Sequence, residues 1–166
     1  KALVFLPYCS AHRLPDKKQE AACIAAMQAF NAPYSMMMLE IDALGMYDTA
    51  AEEMGKTFVT TELGGGGTTR ASTVAVAKRG VRNLLIHAGI LKGRLEQGPT
   101  QMLDMPDNDC FTFSDQDGLI EPCVDLGQKV RKGDVVAQVW PADRTGVAPT
   151  QYRVGMDGLV TARHFP

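Results

Sequence analysis

The sequence predicts an α/β domain, in which a mixed sheet is flanked by helices, followed by a small all-β domain. Strand-like and helix-like segments alternate over residues 1–92, and such alternation requires a parallel or mixed sheet covered by helices. The sequence pattern changes after Gly98 and Pro99, where short β-type runs and closely spaced turn residues replace helical periodicity. We therefore predict two domains, at residues 1–97 and 98–166.

The first predicted elements are a strand and a helix. Residues 2–8, ALVFLPY, form a short apolar run that is typical of a buried strand. Residues 16–31 carry apolar side chains at helical spacing behind Asp16, whose carboxylate suits a helix N-cap. The side chains expected to face the core from this helix are Ala22, Ile24, Ala25, Met27 and Phe30. Because the chain enters directly on a strand, we expect earlier strands of the same sheet upstream.

The next predicted elements lead into and out of a glycine-rich loop. They are a strand at residues 34–39, a short helix at 47–54 ended by Gly55, a strand through Phe58 and Val59 that ends at Glu62, and a helix at 70–91 interrupted near Gly80. The first of these strands contains Met36, Met37 and Met38. We interpret these methionines as soft packing groups, because no histidine accompanies them to form a copper or heme site.

The second predicted domain has hairpin signals. The residues DGLI at 117–120 recur as DGLV at 157–160, which is a weak internal repeat. The stretch DGLIEPCVDLGQKVRKGDVVAQV resembles the hairpins of a biotinyl/lipoyl-type barrel, with turns at Gly127 and Gly133. A carrier domain needs a modifiable lysine at a hairpin tip, and the turn around Asp157 offers Met156 but no lysine. The resemblance therefore concerns the scaffold and not the carrier activity, and we predict a barrel-like or hammerhead-like β-domain.

Composition and charge exclude several function classes. The chain has 166 residues, 45% hydrophobic and 22% charged, which is typical of a globular protein. Its formal net charge is -2, and adjacent Lys and Arg residues occur in runs of no more than two. Both features argue against a nucleic-acid partner. No apolar run approaches the roughly 20 residues of a membrane span, so we expect a soluble cytoplasmic protein. The four cysteines form no C-x-x-C pair, and we expect reduced, packed thiols.

The most informative segment is KTFVTTELGGGGTT, at residues 56–69, which carries Glu62 from a strand end into a run of four glycines. One interpretation is a flexible loop with a solvated glutamate. The other is an active-site carboxylate beside bare backbone, with Gly64 and Gly65 open to a substrate. Phosphate binding is disfavoured, because the glycines do not fit G-x-G-x-x-G and no G-K-[ST] follows.

The remaining candidate groups do not assemble a second site from spacing alone. None of the three histidines has a Glu or His at a spacing of three or four, so no metal site is assigned. We place His12 in a loop after the first strand, with a structural and a cleft role both open. His87 is expected to be a packed or surface histidine of a helix, and His164 carries no signal. A hydrolase built on Cys9 and His12 is a further alternative that lacks assured geometry.

Several motifs together resemble one known family. They are TTELGGGG at 60–67, GVRNLLIHAGIL at 80–91, and DGLIEP and DLGQKVRKGD in the β-rich part, with PYCSAH and FNAPYSMMMLEID before them. The chain resembles the succinylglutamate desuccinylase/aspartoacylase family of zinc-dependent deacylases over essentially its full length. Within that family it is most similar to the branch that includes N-alpha-acetyl-L-2,4-diaminobutyrate deacetylases of ectoine breakdown.

The resemblance implies a carboxypeptidase-like α/β fold and one zinc ion, whose bound water attacks an N-acyl amide carbonyl. It assigns the family's catalytic glutamate to Glu62, which would take a proton from the water and return it to the departing amine. At a partly desolvated strand end, its pKa is expected to rise. The family's zinc ligands, an H-x-x-E pair and a later histidine, would lie upstream, so no metal ligand is assigned in this chain. We therefore expect a piece of a longer protein, truncated at both ends.

Two functions follow as hypotheses. The first is metal-dependent hydrolysis of a small N-acyl amino acid, in which this chain supplies the general base and is inactive by itself. The alternative is a non-catalytic structural or binding module, because the zinc ligands are absent from this chain. A homo-oligomer is expected by analogy with the family.

Overall fold

The computed structural model describes residues 3–39 and 45–165. In chain order the elements are β1 (Leu3–Phe5), β2 (Tyr8–His12), α1 (Lys17–Phe30), β3 (Tyr34–Met38), α2 (Tyr47–Glu53), β4 (Thr60–Glu62), α3 (Ala71–His87), β5 (Gln101–Asp104), a 3₁₀ helix (Asn108–Cys110), β6 (Leu119–Pro122), β7 (Lys129–Val130), β8 (Val135–Trp140), β9 (Thr150–Arg153), β10 (Gly158–Leu159) and β11 (Ala162–His164). The described residues therefore form a mixed α/β fold with three α-helices, which confirms the α/β class. None of these helices combines the length and apolar character needed to cross a membrane.

The chain divides into two compact units. One unit is Leu6–Met105, and the other comprises Lys1–Phe5 and Pro106–Pro166. The first unit contains a four-stranded sheet in the order β4-β2-β3-β5, in which β2, β3 and β5 are parallel and β4 is antiparallel to β2. Strand β5 belongs to this sheet although it follows residue 97, the predicted end of the first domain. The assignment of the two predicted domains to a catalytic and a barrel-type role stays a prediction.

Helix α1 supplies the centre of the core in the first unit. Its predicted cap is confirmed, because the Asp16 carboxylate accepts hydrogen bonds from the backbone N–H groups of Lys18 and Gln19 at 2.8 and 3.3 Å. The predicted core face was partly wrong, since Ala25 is exposed. The buried positions are Cys23, Ala26, Met27, Ala29 and Phe30. This stripe is offset from the predicted one because successive helical residues are separated by about 100°.

Helix α3 is continuous, so the predicted interruption near Gly80 is wrong. Gly80 is buried, and a Cβ atom there would lie 2.3 Å from Cζ of the Phe30 ring. The glycine therefore allows α3 to approach α1 closely, and it does not mark a break. Packing against a neighbouring helix overrides the low helix propensity of glycine.

The start of the chain differs from the prediction of one strand at residues 2–8. Leu3–Phe5 and Tyr8–His12 are two separate strands, divided at Leu6 and Pro7, and Ala2 lies outside the described residues. Strand β1 pairs antiparallel with β11, whereas β2 pairs with β3 and β4. Proline has no backbone N–H for a sheet ladder, which is consistent with its place between two strands.

The other elements of the first unit agree with the prediction in type. Strand β3, helix α2 and a strand ending at Glu62 are confirmed, and Gly55 follows α2 with a φ of 70°. Strand β4 is shorter than predicted: it begins at Thr60 and does not include Phe58 and Val59. The last three residues of the FNAPYSMMMLEID motif, 40–42, lie outside the described residues.

The second unit has three small antiparallel sheets among its described residues. Strand β8 lies between β6 and β9, β7 pairs with β10, and β1 pairs with β11. The predicted turns at Gly127 and Gly133 are confirmed, with φ of 84° and 92°. The likeness of this unit to a biotinyl/lipoyl-type barrel, or a hammerhead-like domain, stays a prediction.

Candidate functional site

The candidate carboxylate, Glu62, is the last residue of β4. It lies in register with Tyr8, the first residue of β2, because the two strands are antiparallel. Glu62 is therefore at the carboxyl end of its own strand but at the amino-terminal edge of the parallel strands β2 and β3. Sites in open parallel sheets usually form at the opposite, carboxyl edge. The position of Glu62 thus depends on β4 running antiparallel to β2.

The residues around Glu62 determine which face of the sheet it occupies. Thr61 pairs with Cys9, and Leu63 packs against the core cluster that contains Cys9. Because side chains alternate between the two faces of a strand, Glu62 lies on the opposite face, together with Tyr8. The partly buried neighbours on either side of Glu62 thus keep its carboxyl out of the core formed with α1.

The electrostatic setting of Glu62 suits proton exchange. The side chain is exposed, and it forms no hydrogen bond or ion pair with any residue in the described part of the chain. Partial burial of the carboxyl nevertheless raises its pKa above the ordinary value of a glutamate. A carboxyl with a raised pKa is better matched to accept and return a proton near neutral pH than an ordinary surface glutamate.

Tyr8 is the titratable neighbour of Glu62 across the sheet. Its side chain is only 3% exposed. Burial first, and the negative charge of Glu62 second, raise the pKa of the Tyr8 phenol well above its usual range. Tyr8 is therefore neutral over the whole range in which a carboxyl titrates.

The glycine run forms a tight loop directly after the strand. Gly64, Gly65, Gly66 and Gly67 all have positive φ, at 137°, 127°, 64° and 69°. The backbone N–H and the hydroxyl of Thr68 both donate to the Gly65 carbonyl, at 3.3 and 3.2 Å. A Cβ atom at Gly64 or Gly67 would meet no atom within 4 Å, so the backbone conformation and not crowding requires glycine there. The substrate-binding role of Gly64 and Gly65 stays a prediction.

His12 is not in a loop, as predicted from the sequence, but is the last residue of β2. It is 5% exposed, and its Nδ1 lies 3.0 Å from Oε1 of Glu52 on α2. Glu52 was missed at the sequence level because 40 residues separate the two and no motif joins them. The signal in the sequence was a polar residue at the end of an apolar run, which predicts a buried partner without identifying it.

The structure contradicts a hydrolase built on Cys9 and His12. The two residues lie three apart on one strand, so their side chains are on opposite faces of the sheet. Cys9 is fully buried in the core cluster, and burial raises the pKa of its thiol to about 12. A buried thiol of this kind is a poor nucleophile.

A shallow pocket of about 350 Å³ lies beside Glu52, near the carboxyl end of β2. One buried polar atom at this pocket, the hydroxyl oxygen of Thr49, has no hydrogen-bond partner among the described residues. The pocket is lined by Leu14, Pro15, Asp16, Gln19, Thr49, Glu52 and Glu53. Glu62 does not belong to it.

The remaining histidines and cysteines are dispersed. His87 and His164 are both exposed, at the end of α3 and in β11. All the cysteines are free, and Cys9 and Cys23 are packed as predicted, whereas Cys123 is exposed. Over residues 3–39 and 45–165, no three His, Cys, Asp or Glu side chains are placed to hold a metal ion. The described residues therefore do not fit a zinc site by themselves.

Comparison with known proteins gives a consistent family. Residues 1–88 match the model of the succinylglutamate desuccinylase/aspartoacylase catalytic domain. The chain is 44% identical over 168 residues to the N-alpha-acetyl-L-2,4-diaminobutyric acid deacetylase of Halomonas elongata, covering 100% of this chain and 49% of the relative. These matches confirm the resemblance carried by the motifs around Glu62.

Two solved structures extend the similarity to the fold. The product-bound ectoine utilization protein EutE (DoeB) from Ruegeria pomeroyi is 61% identical with a TM-score of 0.96, and the match covers 100% of this chain and 51% of that one. A succinylglutamate desuccinylase from a Silicibacter species is 58% identical with a TM-score of 0.91, over 100% and 50%. The chain spans about half the length of each of these relatives.

Proposed function

This chain belongs to the succinylglutamate desuccinylase/aspartoacylase family, and we propose that the whole protein hydrolyses the amide bond of an N-acyl amino acid with Glu62 as general base. The observation that carries this proposal is the position of Glu62. Its carboxyl is partly desolvated, has a raised pKa and stands at a strand end that opens into bare glycine backbone. These are the properties that a proton-transferring carboxylate requires.

The proposed chemistry uses one carboxylate twice. Glu62 accepts a proton from a water molecule while the water oxygen attacks the acyl carbonyl carbon. The tetrahedral adduct then collapses, the carbon–nitrogen bond breaks, and Glu62 returns the proton to the departing amine nitrogen. The products are the free acid and the free amine, and Glu62 ends as the carboxylate with which it began.

We propose N-alpha-acetyl-L-2,4-diaminobutyrate as the substrate. The support is the name of the Halomonas elongata relative, which is a deacetylase of that compound, and the ectoine utilization protein among the solved structures. Gly64 and Gly65 would contact the substrate through their main chain, since neither presents a side chain that would keep it away. A cytoplasmic location and a homo-oligomer stay predictions.

Zinc is a separate proposal for the whole protein. The described residues do not form a metal site, so its ligands would come from outside them. When bound, such an ion would supply an acidified water. Metal analysis of the whole protein after exhaustive dialysis tests this proposal, and a protein that is fully active without bound metal would contradict it.

The direct test of the function compares two isosteric substitutions. Glu62→Gln keeps the size of the side chain and removes its basicity, so hydrolysis of N-acetyl-diaminobutyrate by the whole protein should fall about 10²- to 10⁴-fold. The matched control is Glu53→Gln, the same change at an exposed position of α2. The control should retain its rate. Retained turnover in Glu62→Gln would refute the role of Glu62.

A further inference from the structure

A row of side chains crosses the sheet at the level of Glu62. The register aligns Glu62 on β4 with Tyr8 on β2, Tyr34 on β3 and Gln101 on β5. Residues directly opposite each other on neighbouring strands lie on the same face of a sheet. This row is therefore on the face opposite the one that Cys9 presents to the core cluster.

Tyr8 and Glu62 are direct neighbours in this row but differ in exposure. Tyr8 is 3% exposed, whereas Glu62 is exposed. The Cβ atoms of a directly opposed antiparallel pair are about 4.5–5.5 Å apart, so the Glu62 stem lies beside the tyrosine. One side of the glutamate thus meets a buried aromatic residue while the other side meets solvent.

Tyr8 is the titratable residue that pairs with Glu62 across the sheet. On β2, Cys9 faces the opposite side of the sheet and His12 lies at the far end of the strand. On its own segment, Lys56 and Arg70 are exposed, and within the described residues neither forms an ion pair with Glu62. The register places Tyr8 and Glu62 on the same face of the sheet, and the negative charge of Glu62 adds to burial in raising the pKa of the Tyr8 phenol.

We propose that Tyr8 is a positioning residue for Glu62, whose buried ring covers one side of the glutamate side chain and keeps water from it. Its meaning for catalysis rests on the proposed function. The partial burial that raises the pKa of Glu62 then has an identified source. The ring, and not the hydroxyl, performs this role, because the neutral phenol adds no charge beside the carboxyl.

The test is a carboxyl titration by NMR on the whole protein labelled with ¹³C-glutamate. The Glu62 resonance is identified by its loss in Glu62→Gln. Tyr8→Phe keeps the ring and should keep the raised titration midpoint of Glu62. Tyr8→Val, a β-branched residue that suits a strand, should lower that midpoint toward the ordinary value of a glutamate. An unchanged midpoint in Tyr8→Val would overturn the proposal.

Tyr34 provides the matched control. It is the same residue type in the same row, but one strand farther from Glu62, at an added distance of about 4.8 Å. Tyr34→Val should leave the Glu62 midpoint where it is. If Tyr34→Val lowers the midpoint as far as Tyr8→Val does, the effect is general loosening of the sheet and the assignment to Tyr8 is wrong.

A second measurement covers the case in which Tyr8→Val does not fold. A nuclear Overhauser effect between the Tyr8 ring protons and the Glu62 methylene protons is expected in the unsubstituted chain. Its absence would overturn the proposal without any variant. Neither NMR readout requires turnover. An active Glu62→Gln protein would refute the proposed function and leave the Tyr8 contact standing, whereas an unchanged midpoint in Tyr8→Val would refute the role of Tyr8 and leave the proposed function standing.

Discussion

The two ends of β2 each place a glutamate next to a titratable side chain, with opposite results. At the carboxyl end, Glu52 is 10% exposed and hydrogen-bonded to His12. At the amino end, Glu62 is exposed and has no hydrogen-bond partner among the described residues. The comparison shows that a glutamate bonded to a polar partner and a partly desolvated glutamate without such a partner are suited to different roles.

The difference lies in what each carboxylate can exchange. The hydrogen bond from His12 occupies one oxygen of Glu52 and joins α2 to the end of β2. Glu62 has both oxygens available, and desolvation raises its pKa. A bonded carboxylate is suited to hold elements together, whereas a carboxylate without such a bond is suited to move a proton.

The backbone segments that follow His12 and Glu62 also differ. Leu14, two residues after His12, is buried in the core cluster, so the chain is covered where it leaves the carboxyl end of β2. The residues after Glu62 are glycines with positive φ, and only Gly66 among them is buried. The main chain is therefore more exposed after Glu62, at the amino end of β2, than after His12, at its carboxyl end.

The largest effect on stability is expected from Glu52→Ala. It removes the acceptor of the partly buried His12 Nδ1 hydrogen bond, so the free energy of unfolding should fall by about 1–3 kcal/mol. Glu53→Ala, at the neighbouring exposed position, should change it by no more than about 0.5 kcal/mol. Urea unfolding followed by circular dichroism measures both. Equal losses would show that the Glu52 contact adds nothing specific.

A smaller effect is expected from Gly67→Ala, which tests whether the open end depends on backbone conformation. Gly67 has a φ of 69°, and a methyl group added there would meet no neighbouring atom, so the cost is conformational, about 1–2 kcal/mol. Gly67→Asn should cost less, because asparagine adopts this region more readily. The same unfolding experiment distinguishes them. A harmless Gly67→Ala would mean that the loop does not require the left-handed conformation.

Local features of this site were predictable from the sequence. Asp16 was identified as a helix cap because capping depends on residues two and three positions away. Glu62 was placed at a strand end because the apolar pair Phe58 and Val59 precedes it and a glycine run follows. These signals act within a few residues, and the structure retains them.

Long-range features were not predictable in the same way. The antiparallel direction of β4 moves Glu62 to the amino edge of the parallel strands, and no local signal sets strand direction. The role of Gly80 depends on the Phe30 ring, which lies 50 positions earlier, and a glycine in a helix otherwise indicates a break. The partner of His12 likewise comes from a distant helix.

The smallest expected effect is also the one that tests the amino end most directly. The pKa of Glu62 is raised in the folded chain, so the folded state binds a proton more tightly than the unfolded state does. The contribution of Glu62 to stability is therefore fully present below the ordinary glutamate pKa and is lost as pH rises through the raised value. Glu62→Gln cannot ionise, so it should match the unsubstituted chain at low pH and be more stable at neutral pH.

The size of this gain should stay within about 0.5 kcal/mol, because the side chain is exposed. Urea unfolding of both chains at a series of pH values gives the difference curve. Glu52→Gln measured in parallel should instead lose stability at neutral pH, since it weakens the partly buried hydrogen bond to His12, which has no counterpart at Glu62 among the described residues. A neutral-pH loss in both variants would mean that the two ends of β2 hold their carboxylates in the same way, and the contrast between them would fail.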